Sequence, residues 1–332
     1  MARVVGTLDG KDVHEVVLTS QAAVSVAILT YGALIRDWRV PVGDGFRHVV
    51  LGFDDFAPYP THSPYFGAIA GRVANRIGGA KFALNRTTYA LPANEGPNHL
   101  HGGERGIARQ IWRIAREESD SVRLELTSPD GEMGYPGTLD ISVTYTLSGN
   151  RLDIDFTAVT DKPTPVNLIQ HNYFNLAGTG DVLDHRLTFA AGAYTELGEG
   201  QIPTGAILPV EGTGLDFRTP RTLRDADGNG QKIDFNFVLD TARDPQDPVA
   251  ILEAPDGALT LKLYTDQPGL QVYNGWKLAL DVPGLNGAAY PVFAGLCLED
   301  QKFPDAVNHP HFPSTIVVPE RPYRHRCGIE IA

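Results

Sequence analysis

Leu139-Asp140-Ile141-Ser142-Val143-Thr144-Tyr145-Thr146-Leu147, the turn Ser148-Gly149-Asn150, and then Leu152-Asp153-Ile154-Asp155-Phe156-Thr157-Ala158 alternate apolar and mostly polar residues with a period of two. Successive side chains of a strand point to opposite faces, so the apolar set of each run shares one face, and the two runs read as a hairpin with one buried side. The same alternation recurs at Val122, Leu124 and Leu126, at Leu259, Leu261 and Leu263, and around the turn at Asp9-Gly10. Thirty-five glycines and 24 prolines interrupt the chain too often for long helices. The pattern predicts an all-β protein, an antiparallel β-sandwich or barrel.

Working outward, no low-complexity run, Ser/Gly tract or block of like charge divides the 332 residues, so residues 1–332 are read as one large domain. Hydrophobic residues at 42% and charged ones at 20% suit a sizeable core. A net charge of −12 repels phosphate backbones and anionic membrane surfaces, which argues against nucleic acid as a partner. The single basic cluster, Arg321-Pro322-Tyr323-Arg324-His325-Arg326, is short and broken by Pro, and reads as a solvated strand edge. Cys297 and Cys327 are too few for a disulfide framework and are expected to be buried, reduced thiols. The first ten residues lack an apolar leader core, and Ala22 to Leu29 is too short to span a bilayer, so no membrane partner and a cytoplasmic location are expected. Asn85-Arg86-Thr87 has the form of a glycosylation sequon and is read as a surface loop. Oligomeric state is not legible.

Six polar motifs punctuate this framework: Asn75-Arg76, Asn98-His99-Leu100-His101-Gly102-Gly103, Gln170-His171-Asn172-Tyr173-Phe174-Asn175-Leu176, Asp234-Phe235-Asn236-Phe237, Gly269-Leu270-Gln271-Val272-Tyr273, and Cys297-Leu298-Glu299-Asp300-Gln301 running on through Phe303-Pro304-Asp305 to Asn308. In this order and at these intervals they resemble the aldose 1-epimerases, the galactose mutarotase family, from the first strand to the last few residues. The resemblance implies a large two-layer β-sandwich, the supersandwich, and an enzyme that interconverts the α and β anomers of a free aldose such as galactose or glucose. It implies a small-molecule sugar as partner and no cofactor.

The chemistry needs one base to take the proton of the anomeric hydroxyl and one acid to protonate the ring oxygen. The resemblance assigns Glu299 as the base and His171 as the acid. At their ordinary values Glu299 is ionised at neutral pH and an imidazolium gives up its proton readily. A bell-shaped rate profile follows, its acid limb set by Glu299 and its alkaline limb by His171. The resemblance also places Asn75, Arg76, His101, Asp234 and Gln271 around the sugar. Arg76 and His101 can donate to hydroxyls, Asp234 can accept from two, and the amides can do either. Phe174, Tyr173, Tyr273 and Trp276 are candidates to stack on the apolar sugar face. Arg72 is left to structure, as are His48, His62, His185, His309 and His311. The preferred sugar is not legible, because the candidates differ at single hydroxyls.

Two other classes stay open. His99 and His101 on one strand would face the same way and, with His171 and Glu299, could form the metal site of a jelly-roll enzyme. A sugar-binding module, or a glycosidase using Glu299 with Asp234 or Asp300, is the other. One departure from the family pattern is Phe235, where His commonly follows the Asp. On a strand, Asp234 and Asn236 share one face and Phe235 and Phe237 the other, so Phe235 is expected in the core, with Phe235→Ala costing roughly 3–5 kcal/mol.

Overall fold

The computed structural model describes residues 1–240 and 242–332, and it is built almost wholly from antiparallel strands. The hairpin is formed by Leu139–Ser148 and Arg151–Thr160, paired in register from Leu139↔Thr160 to Ser148↔Arg151. Its apolar sides are buried as the alternation requires. These two strands lie within a nine-stranded sheet whose centre is completed by Tyr323–Ile331. A five-stranded sheet opens the chain, with the turn at Asp9-Gly10 joining its first two strands. A second five-stranded sheet runs Pro203–Pro209, Ala191–Leu197, Asp234–Leu239, Gly269–Tyr273, Cys297–Gln301. The largest buried cluster draws on all three sheets, from Val16 to Ile331, as expected of packed β-layers.

Register across the second five-stranded sheet separates chemistry from core. Asn236 pairs with Gln271 and Gln271 with Glu299, while Asp234 pairs with Tyr273 and Tyr273 with Cys297. All six therefore share a face. The alternate residues Phe235, Phe237, Leu270, Val272 and Leu298 point to the other and join the main core. The predicted division of the Asp234-Phe235-Asn236-Phe237 motif holds, with one difference of degree. Phe237 is fully buried, but Phe235 is only half-buried, packed edge-on against Tyr194 at 5.7 Å. The cost once assigned to Phe235 belongs to Phe237. Phe237→Ala should destabilise by about 3–5 kcal/mol and Phe235→Ala by about 1–3, because less apolar surface is lost. Urea melts that rank the two the other way would contradict this.

Tyr323–Ile331 corrects another expectation. It is paired on both sides, by Arg151–Thr160 and Thr260–Thr265, and is not a sheet edge. Arg324 and Arg326 are exposed on one face while Tyr323 and His325 are buried on the other. Cys297 and Cys327 are buried and free. Asn85 is exposed in the turn between Lys81–Leu84 and Thr87–Ala90. Among the described residues no helix is long and apolar enough to cross a membrane.

Candidate active site

The polar face of the second five-stranded sheet forms one wall of a cavity of about 280 Å³, at the small end of the range for small-ligand sites. Glu299 reaches it from the middle of its strand. His171 reaches it from just beyond Ile169–Gln170, its backbone fixed by His171 N–H donating to the Ala68 carbonyl and Gly67 N–H donating to its own. His171 Nε2 stands 3.8 Å from Glu299 Oε1, and both side chains are buried. Among the described residues, Glu299 Oε2 has no hydrogen-bond partner. The imidazole is flanked by two phenol rings nearly parallel to it, Tyr173 at 5.1 Å and Tyr65 at 5.9 Å, and its Nδ1 lies 3.6 Å from the Cys297 thiol.

Burial dominates the electrostatics of this pair. It pushes the Glu299 carboxyl well above the ordinary carboxylate range, with the nearby Asp234 charge acting in the same direction and Arg76 opposing. It pushes His171 down to about 4. Burial therefore works against the expected ionised Glu299 beside an imidazolium, acting on both members of the pair.

Asn75 and His101 are joined reciprocally. Asn75 N–H donates to His101 Nδ1 at 3.2 Å, and His101 N–H donates to the Asn75 carbonyl at 3.0 Å. With Nδ1 accepting, the neutral ring carries its proton on Nε2, and burial, with the Arg76 charge acting the same way, pushes the imidazole well below its ordinary value. A separate close approach requires the glycine that follows: Gly102 has φ 82°, and a Cβ there would stand 1.8 Å from the Gly71 carbonyl oxygen. Arg76 is forked onto Glu95, Nε at 2.5 Å and Nη2 at 2.6 Å, and Nη2 also donates to Gln201 Oε1 at 3.1 Å. Asp234 accepts from Gln271 Nε2 on one oxygen at 2.7 Å and from Gln201 Nε2 on the other at 2.8 Å.

A family model described as aldose 1-epimerase matches residues 14–330. The chain belongs to the aldose 1-epimerase family. It is 43% identical to the galactose mutarotase of Mus musculus over 91% of this chain and 89% of that one, and 35% identical to the aldose 1-epimerase of Escherichia coli over 92% and 90%. Among solved structures, an aldose epimerase homologue from C. elegans superposes with a TM-score of 0.91 at 28% identity, covering 96% of this chain and 98% of that one. A galactose 1-epimerase from Lactobacillus acidophilus gives 0.86 at 27% identity, covering 100% and 98%.

Of the residues that the family motifs single out, Glu299, His171, Asn75, Arg76, His101 and Asp234 line one cavity. Gln271 does not line it. It lies beside Asp234 and steadies that carboxylate, its own Oε1 buried and without a partner among the described residues. Of the four aromatic candidates, Tyr173 and Tyr273 line the cavity. Phe174 is core, edge-on to Trp38, and Trp276 lies outside the lining with its ring against Lys232 and Lys277. Arg72 is structural as expected. Its guanidinium donates five hydrogen bonds, all to Ser128, Pro129, Pro136 and Gly137. His48 is bonded to Asp37, and His185 accepts from the Leu176 N–H, both away from the cavity.

The premise of the metal reading fails on geometry. His101 leaves the strand at φ 49°, and His99 turns away, bonded through Nδ1 to the Pro92 carbonyl at 2.7 Å and packed near Tyr135. Among the described residues, the group close enough to share an ion is instead His171, Cys297 and Glu299, with ligand atoms within 4.8 Å of one another. Asp300 points away from the cavity and is bonded to His325, which removes it as a glycosidase acid. The sequence reading missed Tyr65, Glu95, Gln201, Lys277 and the Leu278–Leu280 segment. Glu95 carried a faint signal, sitting in the turn before the His motif. Gln201 carried none.

Proposed function

We propose that the protein catalyses mutarotation of a free aldose, with Glu299 as base and His171 as acid. The observation that carries this is the buried pair facing across 3.8 Å on the wall of a cavity ringed by Arg76, His101, Asn75 and Asp234. In the reacting complex Glu299 takes the anomeric hydroxyl proton while His171 gives one to the ring oxygen. The C1–O5 bond breaks, the aldehyde turns about C1–C2, and either face closes by the reverse transfers.

Burial assists this sequence. Ring opening converts a carboxylate and an imidazolium into a carboxylic acid and a neutral imidazole, the pair that a low-dielectric site favours. Burial disfavours the charged pair that starts the reaction, but that pair differs from the neutral one only by the location of one proton. Arg76 supports its ionised carboxylate.

The working form therefore carries one proton on the pair. Two limbs follow, with apparent values belonging to the pair. Below about 4 the imidazole gains a second proton, and the activity is lost on that side. On the alkaline side the pair loses its one proton, at a value displaced upward from the carboxylate range. The limbs are thus exchanged relative to the ordinary values of the two groups. A profile of kcat/KM against pH tests this, since a rate that stays flat through about pH 4 would show no second protonation there and contradict the buried pair.

Polarimetry on freshly dissolved anomers of galactose, glucose, xylose and arabinose tests the activity itself. At least one should equilibrate faster without added metal or nucleotide. Activity abolished by EDTA and restored by a divalent ion would favour a metal at His171, Cys297 and Glu299 instead.

A further inference from the structure

Gln201 occupies the turn between Ala191–Leu197 and Pro203–Pro209, with φ 58° directly after Gly200 at φ 66°. A glutamine in the left-handed region is uncommon, and such local strain persists where the surrounding contacts over-determine it. Both ends of its amide are engaged. Nε2 donates to Asp234 Oδ2 at 2.8 Å, while Oε1 accepts from Arg76 Nη2 at 3.1 Å and from Lys277 Nζ at 2.5 Å. A side-chain amide suits this position, because it donates to a carboxylate from one end and accepts from two cations at the other. A carboxylate would oppose Asp234, and a cation would oppose Arg76 and Lys277.

One side chain thus ties together four segments far apart in sequence. On its other oxygen, Asp234 is held by Gln271, so two amides fix the carboxylate and leave each oxygen with acceptor capacity toward the cavity. Arg76 is fixed by Glu95 and Gln201 together. The two groups best able to read ring hydroxyls, one accepting and one donating, are therefore held at a set separation.

We propose that Gln201 is a positioning residue that determines sugar specificity: by bridging Arg76 and Asp234 it fixes which arrangement of neighbouring hydroxyls can satisfy both. This rests on the mutarotase reading above. With the bridge intact, an aldose of the wrong configuration at one carbon leaves a buried polar group unpaired. Without the bridge, Asp234 and Arg76 can shift to meet either epimer, and discrimination falls.

The test uses the full-length protein, wild type and the variants Gln201→Ala and Gln201→Glu, with kcat and KM for mutarotation of aldohexoses that differ at one carbon, galactose against glucose and glucose against mannose. For the preferred sugar, Gln201→Ala should raise KM roughly tenfold with kcat within about threefold. The kcat/KM ratio between epimers should collapse roughly tenfold toward unity. Gln201→Glu should raise KM further, because it sets a carboxylate against Asp234. Thermal melts show whether each variant is folded, and a purely structural role would lower the melting temperature without changing the epimer ratio. Active, folded variants with the wild-type KM and epimer ratio would overturn the proposal and leave the activity reading intact. A folded wild-type protein that mutarotates no aldose would remove both.

Discussion

Glu299→Gln is expected to lower kcat by roughly 10²-fold or more, with KM changed far less, and His171→Ala to do the same. Glutamine keeps the size and hydrogen-bonding reach of the side chain but cannot take a proton, so the substitution isolates proton transfer from binding. No described residue hydrogen-bonds Glu299 Oε2, so the substitution costs the fold no hydrogen bond at that oxygen. Burial disfavours a charged carboxylate there, so Glu299→Gln should melt at or above the wild-type temperature. Arg76→Ala and Asp234→Ala should act mainly on KM, provided that their hydroxyl contacts are similar in the ground and transition states. Initial-rate polarimetry separates the two classes, and near wild-type kcat in Glu299→Gln would refute the base assignment.

His325→Leu and Asp300→Ala are each expected to cost about 3–5 kcal/mol of stability, the range for breaking a buried charge pair from one side. Asp300 follows Glu299 on the same strand and so faces the core. Its Oδ2 accepts from His325 Nε2 and from Thr265 Oγ1, both at 2.5 Å, and both partners are buried. His325 Nδ1 faces the Leu168 carbonyl at 3.2 Å, so both ring nitrogens meet oxygen acceptors. Burial alone would raise the Asp300 carboxyl, but the His325 charge and the hydrogen bonds from His325 and Thr265 outweigh it and hold the group below its ordinary value. A depressed carboxylate contributes stability that is present above its unfolded value, about 3.9, and is lost as pH falls through the lower folded value. Urea melts should therefore show the variants converging on wild type at acid pH. The double replacement by Leu should recover much of the loss, because no charge is left unpaired. Single variants within about 0.5 kcal/mol of wild type at neutral pH would show that the pair contributes little.

The two faces of the strands were legible because a period of two is local. Leu139 to Ala158 declared a hairpin, and Asp234-Phe235-Asn236-Phe237 declared which residues would meet solvent or ligand and which would meet the core. The degree of burial was not legible, since Phe235 and Phe237 carry the same local signal and differ only in what packs over them. The same limit applies to Tyr323–Ile331, whose charges suggested an edge although two strands flank it.

For the site, the motifs, through the family they resemble, named Glu299, His171, Asn75, Arg76, His101 and Asp234, which meet in one cavity. What joins them came only from the tertiary structure: Glu95 on Arg76, Gln201 between Arg76 and Asp234, and Gln271 behind Asp234. These pairings cross up to 125 residues of chain, and no periodicity encodes a contact of that kind. Protonation was decided at the same level. Sequence fixes which groups can titrate, but burial sets which way each is pushed, and burial exists only once distant strands have closed around Glu299 and His171.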